Sequence, residues 1–153
     1  MDAANIFPQK VAEIKITYKN TVKASDRLKI TSSQTCFAIL RNTWGDEIEY
    51  VESFRVILLN RANQMLGVTK ISEGGTSGCI VDPKRIFQTA LKANASSIIL
   101  SHNHPSSNLQ PSEADKMITK KVKDAGILLE ISVVDHLILT NDDYFSFADN
   151  GLL

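Results

Sequence analysis

The sequence predicts an α/β (α+β) layered single domain in which a mixed β-sheet is flanked by helices. Three observations support this class. At 153 residues, the chain has the length of one domain. Its 43% hydrophobic and 22% charged residues are ordinary for a globular protein. Short apolar and β-branched runs alternate along the chain with amphipathic segments of helical length, as in a sheet with helices packed on it.

Residues 1–45 are interpreted as an N-terminal extension with a strand and a helix, and residues 46–153 as the main domain. Val11 to Lys19 alternates loosely between apolar and polar residues, which is typical of an edge strand. Thr31 opens a pattern similar to a capping box, and this predicts a helix from there to about Gly45.

A hairpin and a second helix are predicted next. Glu52 to Asn60 is rich in Val, Ile and Phe, and Met65 to Ser72 is the expected returning strand. The glycine-rich segment 73–78 is expected to be a loop. Asp82 is the expected N-cap of the following helix, because Pro83 occupies its first helical position.

The last part of the chain is predicted to alternate again. Ser96 to Ser101 is a short apolar run typical of a buried strand, and the segment from His102 to Pro111 is polar and irregular. Ser112 is expected to open a third helix, with Gly126 as its C-terminal stop. Further strands are predicted over Leu128–Val134, Leu137–Thr140 and Tyr144–Phe147.

Charge and cysteine content exclude several classes of protein. The 17 basic and 17 acidic residues give a net charge of zero, so the overall balance provides no attraction for nucleic acid. Two cysteines, Cys36 and Cys79, are too few for a disulfide scaffold or a four-thiolate zinc site.

The chain shows no signal-peptide pattern and no apolar run near the roughly 20 residues that span a bilayer. We therefore expect a cytoplasmic protein with no membrane partner.

Two of the three histidines lie in one tripeptide, His102-Asn103-His104. At positions i and i+2 of a strand end, both imidazoles project to the same side and can converge on a zinc ion. Asp115, in the first turn of the third helix, adds a carboxylate and leaves a fourth position for water. Each piece also has an ordinary explanation, because His-x-His occurs on polar surfaces and Ser112-x-x-Asp115 is close to a capping box.

A hydrolytic site also needs a base, and Glu52 stands at the start of a buried strand. A charged residue there is costly without a partner or a role. Glu47, Glu49 and Glu73 remain alternatives for the same role. His136, the third histidine, is interpreted as a packing residue or as a residue that supports the site, rather than as a ligand.

Together these residues resemble the JAMM (MPN) metallopeptidase motif, in which a glutamate is followed by His-x-His-Pro and then by Ser-x-x-Asp. The matching residues here are Glu52, His102-Asn103-His104-Pro105 and Ser112-Glu113-Ala114-Asp115. Over about residues 50–147, the chain also resembles the bacterial RadC-like branch of this group. The stretches that carry this resemblance are Asn60–Asn63, Pro83–Leu91, Ile98–Ser106, Pro111–Asp115 and Asp135–Leu139.

The resemblance implies a cytidine-deaminase-like layered fold around one zinc ion bound by His102, His104 and Asp115. It implies that Glu52 is the general base and that the Ser112 hydroxyl helps to hold an oxyanion. The implied substrates are peptide or isopeptide bonds, and the RadC-like branch carries a DNA-repair name.

The chain departs from the family pattern at two positions. Ser107 stands where RadC-like proteins usually have the glycine of His-Asn-His-Pro-Ser-Gly, and Asp82 stands where a histidine is common. Neither change touches an implied ligand. The helix-hairpin-helix region of many longer members is not found in residues 1–45, which lowers the expectation of direct DNA binding.

A second interpretation is a non-catalytic accessory protein of DNA repair or replication. It depends on a basic stripe along the third helix, for which a solvated helix face is the simpler explanation. The stripe consists of Lys116, Lys120, Lys121 and Lys123. An HNH nuclease is set aside because its motif is spread over a ββα unit, and a deaminase is disfavoured because no Cys-x-x-Cys follows. The scissile bond and the oligomeric state stay open.

Overall fold

The computed structural model describes residue 12 and residues 14–74 and 79–153. These residues form a mixed five-stranded sheet with three helices, which confirms the predicted fold class. The helices are α1 (Ser33–Trp44), α2 (Pro83–Lys92) and α3 (Glu113–Leu128). The strands are β1 (Ser53–Leu59), β2 (Met65–Glu73), β3 (Ser97–Asn103), β4 (Ser132–Leu139) and β5 (Tyr144–Ser146). Within the same ranges, no helix has the length and hydropathy needed to cross a membrane.

The strand order is β2-β1-β3-β4-β5, and one parallel pair is set among antiparallel ones. β1 runs antiparallel to both β2 and β3, as the predicted hairpin requires. β3 and β4 are parallel and are connected through α3. In such a crossover, the helix starts at the sheet edge where the first strand ends. The end of β3 and the first turn of α3 therefore lie side by side.

Both faces of the sheet are covered by helices. Alternate residues of β1 divide between two cores, with Phe54 and Val56 in the first and Ile57 and Leu59 in the second. The first core contains the apolar stripes of α2 and α3, and the second contains buried residues of α1. The boundary between residues 45 and 46 stays a prediction, although α1 packs on the same sheet as the rest of the domain.

The N-terminal strand prediction is wrong over its described part. Residues 14–20 form no strand, and the alternating Ile14 and Ile16 are 88% and 80% exposed. Val11 and Glu13 lie outside the described residues. The helix prediction is confirmed, with Ser32 as the N-cap in place of Thr31, because the Ser32 hydroxyl accepts from the backbone of Thr35.

β4 is one continuous strand where two were predicted. The sequence pattern breaks at Asp135 and His136, which are polar and therefore resemble a turn. Both are buried, and Asp135 accepts hydrogen bonds from the Ser146 hydroxyl and from the backbone of Ala148. A polar pair with satisfied hydrogen bonds does not interrupt a strand.

Gly126 is not the end of α3, which continues to Leu128. Close packing requires a glycine here, because a Cβ at position 126 would collide with the carbonyl oxygen of Ile131. The predicted C-terminal stop at Gly126 is therefore wrong. A glycine within a helix can be a packing residue as well as a terminator, and local pattern does not separate the two.

We expect Gly126→Ala to lower the free energy of unfolding by about 1–2 kcal/mol, since overpacking against backbone outweighs the helix propensity of alanine. Urea denaturation measures this change. Gly67→Ala is the matched control, because a Cβ at Gly67 meets no described atom within 4 Å. Equal stability of Gly126→Ala and the parent chain would show that α3 shifts freely away from Ile131.

Candidate metal centre

Two histidines and an aspartate meet at the end of β3. His102 lies in the strand, and His104 follows it, with its backbone N–H bonded to Leu139 at 2.9 Å. This bond continues the pairing with β4 and keeps the alternation of side chains, so both imidazoles lie on the same side. Asp115 reaches them from the first turn of α3. One ligand atom from each residue lies within 4.8 Å of the others.

The separations of these atoms fit a tetrahedral metal ion. The Nε2 atoms of His102 and His104 are 2.9 Å apart. The Asp115 oxygens lie 3.2 Å from Nε2 of His102 and 3.8 Å from Nε2 of His104. Ligands about 2.0–2.1 Å from a tetrahedral zinc ion are roughly 3.4 Å apart, inside the observed range.

A buried hydrogen-bond chain determines which nitrogen of His102 carries hydrogen. The Thr119 hydroxyl donates to the backbone oxygen of Asp115 at 2.5 Å, so it must accept from Nδ1–H of His136, 2.6 Å away. Burial lowers the pKa of His136 well below its ordinary value, so its Nε2 carries a lone pair. This Nε2 lies 2.8 Å from Nδ1 of His102, which must donate to it. Nε2 of His102 is then free for a metal.

A different hydrogen-bond partner gives His104 the same tautomer as His102. Its Nδ1 lies 2.5 Å from the backbone oxygen of Asn108, which can only accept. Nε2 of His104 therefore also presents a lone pair. Two imidazole lone pairs and a carboxylate face one another at these distances, an arrangement that a cation between them would stabilise.

Asp115 and Ser112 form a capping box at the start of α3. The Ser112 hydroxyl donates to the Asp115 carboxylate at 2.6 Å and accepts from its backbone N–H. Burial acts to raise the pKa of Asp115, but the hydrogen bond and charge of a protonated His102, together with the Ser112 bonds, lower it below its ordinary value. A cation bound at Nε2 of His102 in place of that proton would act in the same direction. The cap thus fixes the carboxylate beside the histidines and contributes to keeping it ionised, so the capping and ligand interpretations are compatible.

Glu52 lies in the wall of a cavity of about 160 Å³ that His102 and Asp115 also line. The alternative glutamates have other surroundings. Glu47 lies 3.4 Å from Arg55 and 3.5 Å from Lys70, and Glu73 is paired with the same lysine. Glu49 is exposed. The geometry therefore favours Glu52 among the four.

Comparison with known proteins identifies the family of this domain. A family model described as the RadC-like JAB domain matches residues 30–152. The chain belongs to the RadC family. The predicted resemblance is thereby confirmed, and the mixed sheet with three helices fits the JAB domain.

Relatives of this RadC-like domain include UPF0758 proteins of several bacteria. One from Flavobacterium johnsoniae is 45% identical over 124 residues, covering 81% of this chain and 53% of the relative. One from Chlorobaculum parvum is 41% identical over 125 residues, covering 82% and 55%. The chain thus spans about half the length of the curated relatives it matches.

The loop after His104 offers a physical reason for the glycine that the family resemblance led us to expect at position 107. Ser107 has a φ of 62°, in the left-handed region that only glycine adopts without cost. Its backbone N–H bonds to the His104 oxygen at 3.0 Å and closes the turn. The serine keeps the turn of the RadC-like loop at some backbone strain, and the ligands stay together.

Thr119 and Asn103 were missed by sequence reasoning. Thr119 lies four residues after Asp115 on the same helix face, and this spacing is a signal that could have found it. Asn103 lies between the two histidines, so its side chain points to the other side of the strand. No spacing rule connects it with the site.

We expect Thr119→Val in this RadC-like domain to lower zinc affinity about 10–100-fold, the usual cost of losing the support of a ligand. Without the hydroxyl, His136 can adopt its other tautomer, which would turn a hydrogen of His102 toward the ligand cluster. Competition with a chromophoric chelator measures the affinity. Thr119→Ser keeps the hydroxyl and is the control. Equal affinities for the valine and serine variants would contradict the proposed hydrogen-bond chain.

Proposed function

We propose that this RadC-like domain is a cytoplasmic zinc-dependent hydrolase of the metallopeptidase type, which cleaves a peptide or isopeptide bond. The observation that carries the proposal is the convergence of His102, His104 and Asp115, with lone pairs facing a common centre and a glutamate in the adjoining cavity. A site built only for stability would not need an open cavity beside its ligands.

The residues of the chain have separable roles in this proposal. Zinc held by the three ligands would lower the pKa of a water molecule to about 7 and polarise a carbonyl. Glu52 accepts a proton from the attacking water and returns it to the leaving amine. Ser112, whose hydroxyl hydrogen is held by Asp115, would turn that hydrogen toward the substrate oxygen as charge develops there.

The surface beside the site supports a peptide substrate. A groove of about 900 Å³ extends from Glu52 and Asp115 along the loop after His104. Tyr50 and Ile80 line it and are 87% and 92% exposed, so they offer apolar contacts to a bound chain. Among the described residues lining the groove there is no lysine or arginine, which disfavours a phosphate backbone.

The stripe on α3 gives little support to the DNA-accessory alternative. Lys116 pairs with Glu113 at 2.7 Å, and Lys120 pairs with Asp124 at 2.5 Å, so part of the positive charge is neutralised. Lys121 is exposed on the same helix, where water can solvate its charge. Salt-dependent binding of duplex DNA would revive this alternative, and absence of binding at low salt would remove it.

The decisive experiment combines metal analysis with hydrolysis. The zinc-loaded chain should contain about one zinc ion, as a site with three protein ligands implies. It should cleave members of a pool of fluorogenic peptides and lysine-linked isopeptides. Removal of zinc with a chelator should abolish cleavage, and added zinc should restore it. Failure to take up zinc would overturn the metal centre, and zinc uptake without cleavage of either class would overturn the hydrolase.

A further inference from the structure

We propose that Asn103 is a positioning residue that holds the backbone on both sides of Glu52 and thereby sets this carboxylate relative to the metal ligands. The inference rests on the proposed function only in the role of Glu52 as the base. The contacts that support the inference do not depend on that role. The buried side-chain amide of Asn103 forms hydrogen bonds with the backbone groups directly before and after Glu52.

The side chain of Asn103 makes a full set of hydrogen bonds. It is buried, with 0% of its surface exposed. Its Oδ1 accepts from the backbone N–H of Ser53 at 2.8 Å and from Nε1–H of Trp44 at 2.9 Å. Its Nδ2 donates to the backbone oxygens of Ile48 and Val51, both at 2.8 Å. An amide has two donor hydrogens and two acceptor lone pairs, and all are used.

These hydrogen bonds hold the segment around Glu52, which has few other backbone hydrogen bonds to the sheet. Glu52 precedes β1 and follows a 3₁₀ turn over Gly45–Glu49, so the sheet does not hold it on both sides. Its own backbone oxygen accepts from Gly74 at 2.8 Å. The groups on either side, the oxygen of Val51 and the N–H of Ser53, both bond to Asn103.

The location of Asn103 links this anchoring to the ligands. In a strand, successive side chains alternate, so Asn103 points away from the side that carries His102 and His104. One end of β3 thus presents two ligands on one side and holds the Glu52 segment from the other. Because the same strand end holds both groups, a movement of it would shift the ligands and Glu52 together and leave the distance between them unchanged. Proton transfer requires such a fixed geometry.

Amide hydrogen exchange on the metal-free protein tests the anchoring itself. In Asn103→Ala, the Ser53 amide should exchange at least about tenfold faster, because its acceptor is lost. The amides of β1 beyond Phe54 should stay protected. Asn103→Leu, which keeps the approximate size of the side chain but offers no acceptor to the Ser53 amide, is the second variant if the alanine variant does not fold.

Asn60→Ala is the matched control. The Asn60 side chain likewise accepts from two backbone groups, those of Ala62 and Gln64, both at 2.9 Å, but in the hairpin turn at the opposite end of β1. This variant should loosen its own turn and leave Ser53 unchanged. Unchanged Ser53 exchange in both Asn103 variants would overturn the inference.

A cobalt-loaded sample separates positioning from simple stabilisation. With Co²⁺ as the probe, pseudocontact shifts report where each amide lies relative to the ion. Asn103→Ala should change the shifts of residues 51–53 and leave those of α3 as they are. With a cleaved peptide from the pool above, kcat should fall about tenfold or more while KM and zinc affinity stay unchanged.

The outcomes are distinguishable from failure of the proposed function. Faster Ser53 exchange with unchanged pseudocontact shifts over residues 51–53 would make Asn103 a purely structural residue and overturn its positioning role. If the parent chain binds no Co²⁺, the metal centre fails, while the exchange data still decide whether Asn103 holds the Glu52 segment.

Discussion

Replacing His104 with alanine is expected to lower zinc affinity by at least about a hundredfold, because one of three protein ligands is lost. His104 suits this test because its side chain is 15% exposed and lies at the surface end of the cluster, whereas that of His102 is 2% exposed. Its removal should therefore disturb packing little. Competition titration with a chromophoric chelator gives the affinity directly.

Stability measurements provide a second readout of the same change. Zinc at 100 times its dissociation constant should stabilise the parent chain by about 2.7 kcal/mol. The His104→Ala variant should lose most of this increment while its metal-free stability stays close to that of the parent. Glu52→Gln is the matched control and should keep the full increment. Tight zinc binding by His104→Ala would place the metal elsewhere.

Glu52→Gln is expected to reduce turnover by about 10²–10⁴-fold while zinc affinity is unchanged, since the amide cannot accept the proton of the attacking water. The change keeps the size and hydrogen-bonding ability of the side chain, so the cavity beside His102 and Asp115 should persist. The measurement is kcat/KM on a cleaved peptide, together with zinc content.

Glu49→Gln and Glu73→Gln are controls for the choice of glutamate. Glu49 is exposed, and Glu73 is paired with Lys70, so neither substitution should affect turnover by more than about twofold. A large loss in one of them, with normal turnover in Glu52→Gln, would assign the base to that residue and reject the role given to Glu52.

The sequence pattern correctly predicted the structural elements that depend only on residues close together in the chain. The cap at Asp82 with Pro83, the cap at Ser112 and the β1–β2 hairpin depend on neighbouring residues, and the structure contains them all. The predictions that failed depend on distant partners. Residues 14–19 alternate like a strand but form no strand, and the Asp135–His136 pair is polar yet lies inside β4.

The candidate ligands and the helix that carries their carboxylate were predicted from the sequence by itself. Two side chains at i and i+2 of a strand must share a side, and a capping box fixes the carboxylate in the first turn of its helix. The choice of Glu52 over its neighbours, the hydrogen-bond chain through Thr119, and the anchoring by Asn103 were decided only by the tertiary structure. They depend on contacts between elements far apart in the chain, and no periodicity within one element encodes which distant group a side chain will meet.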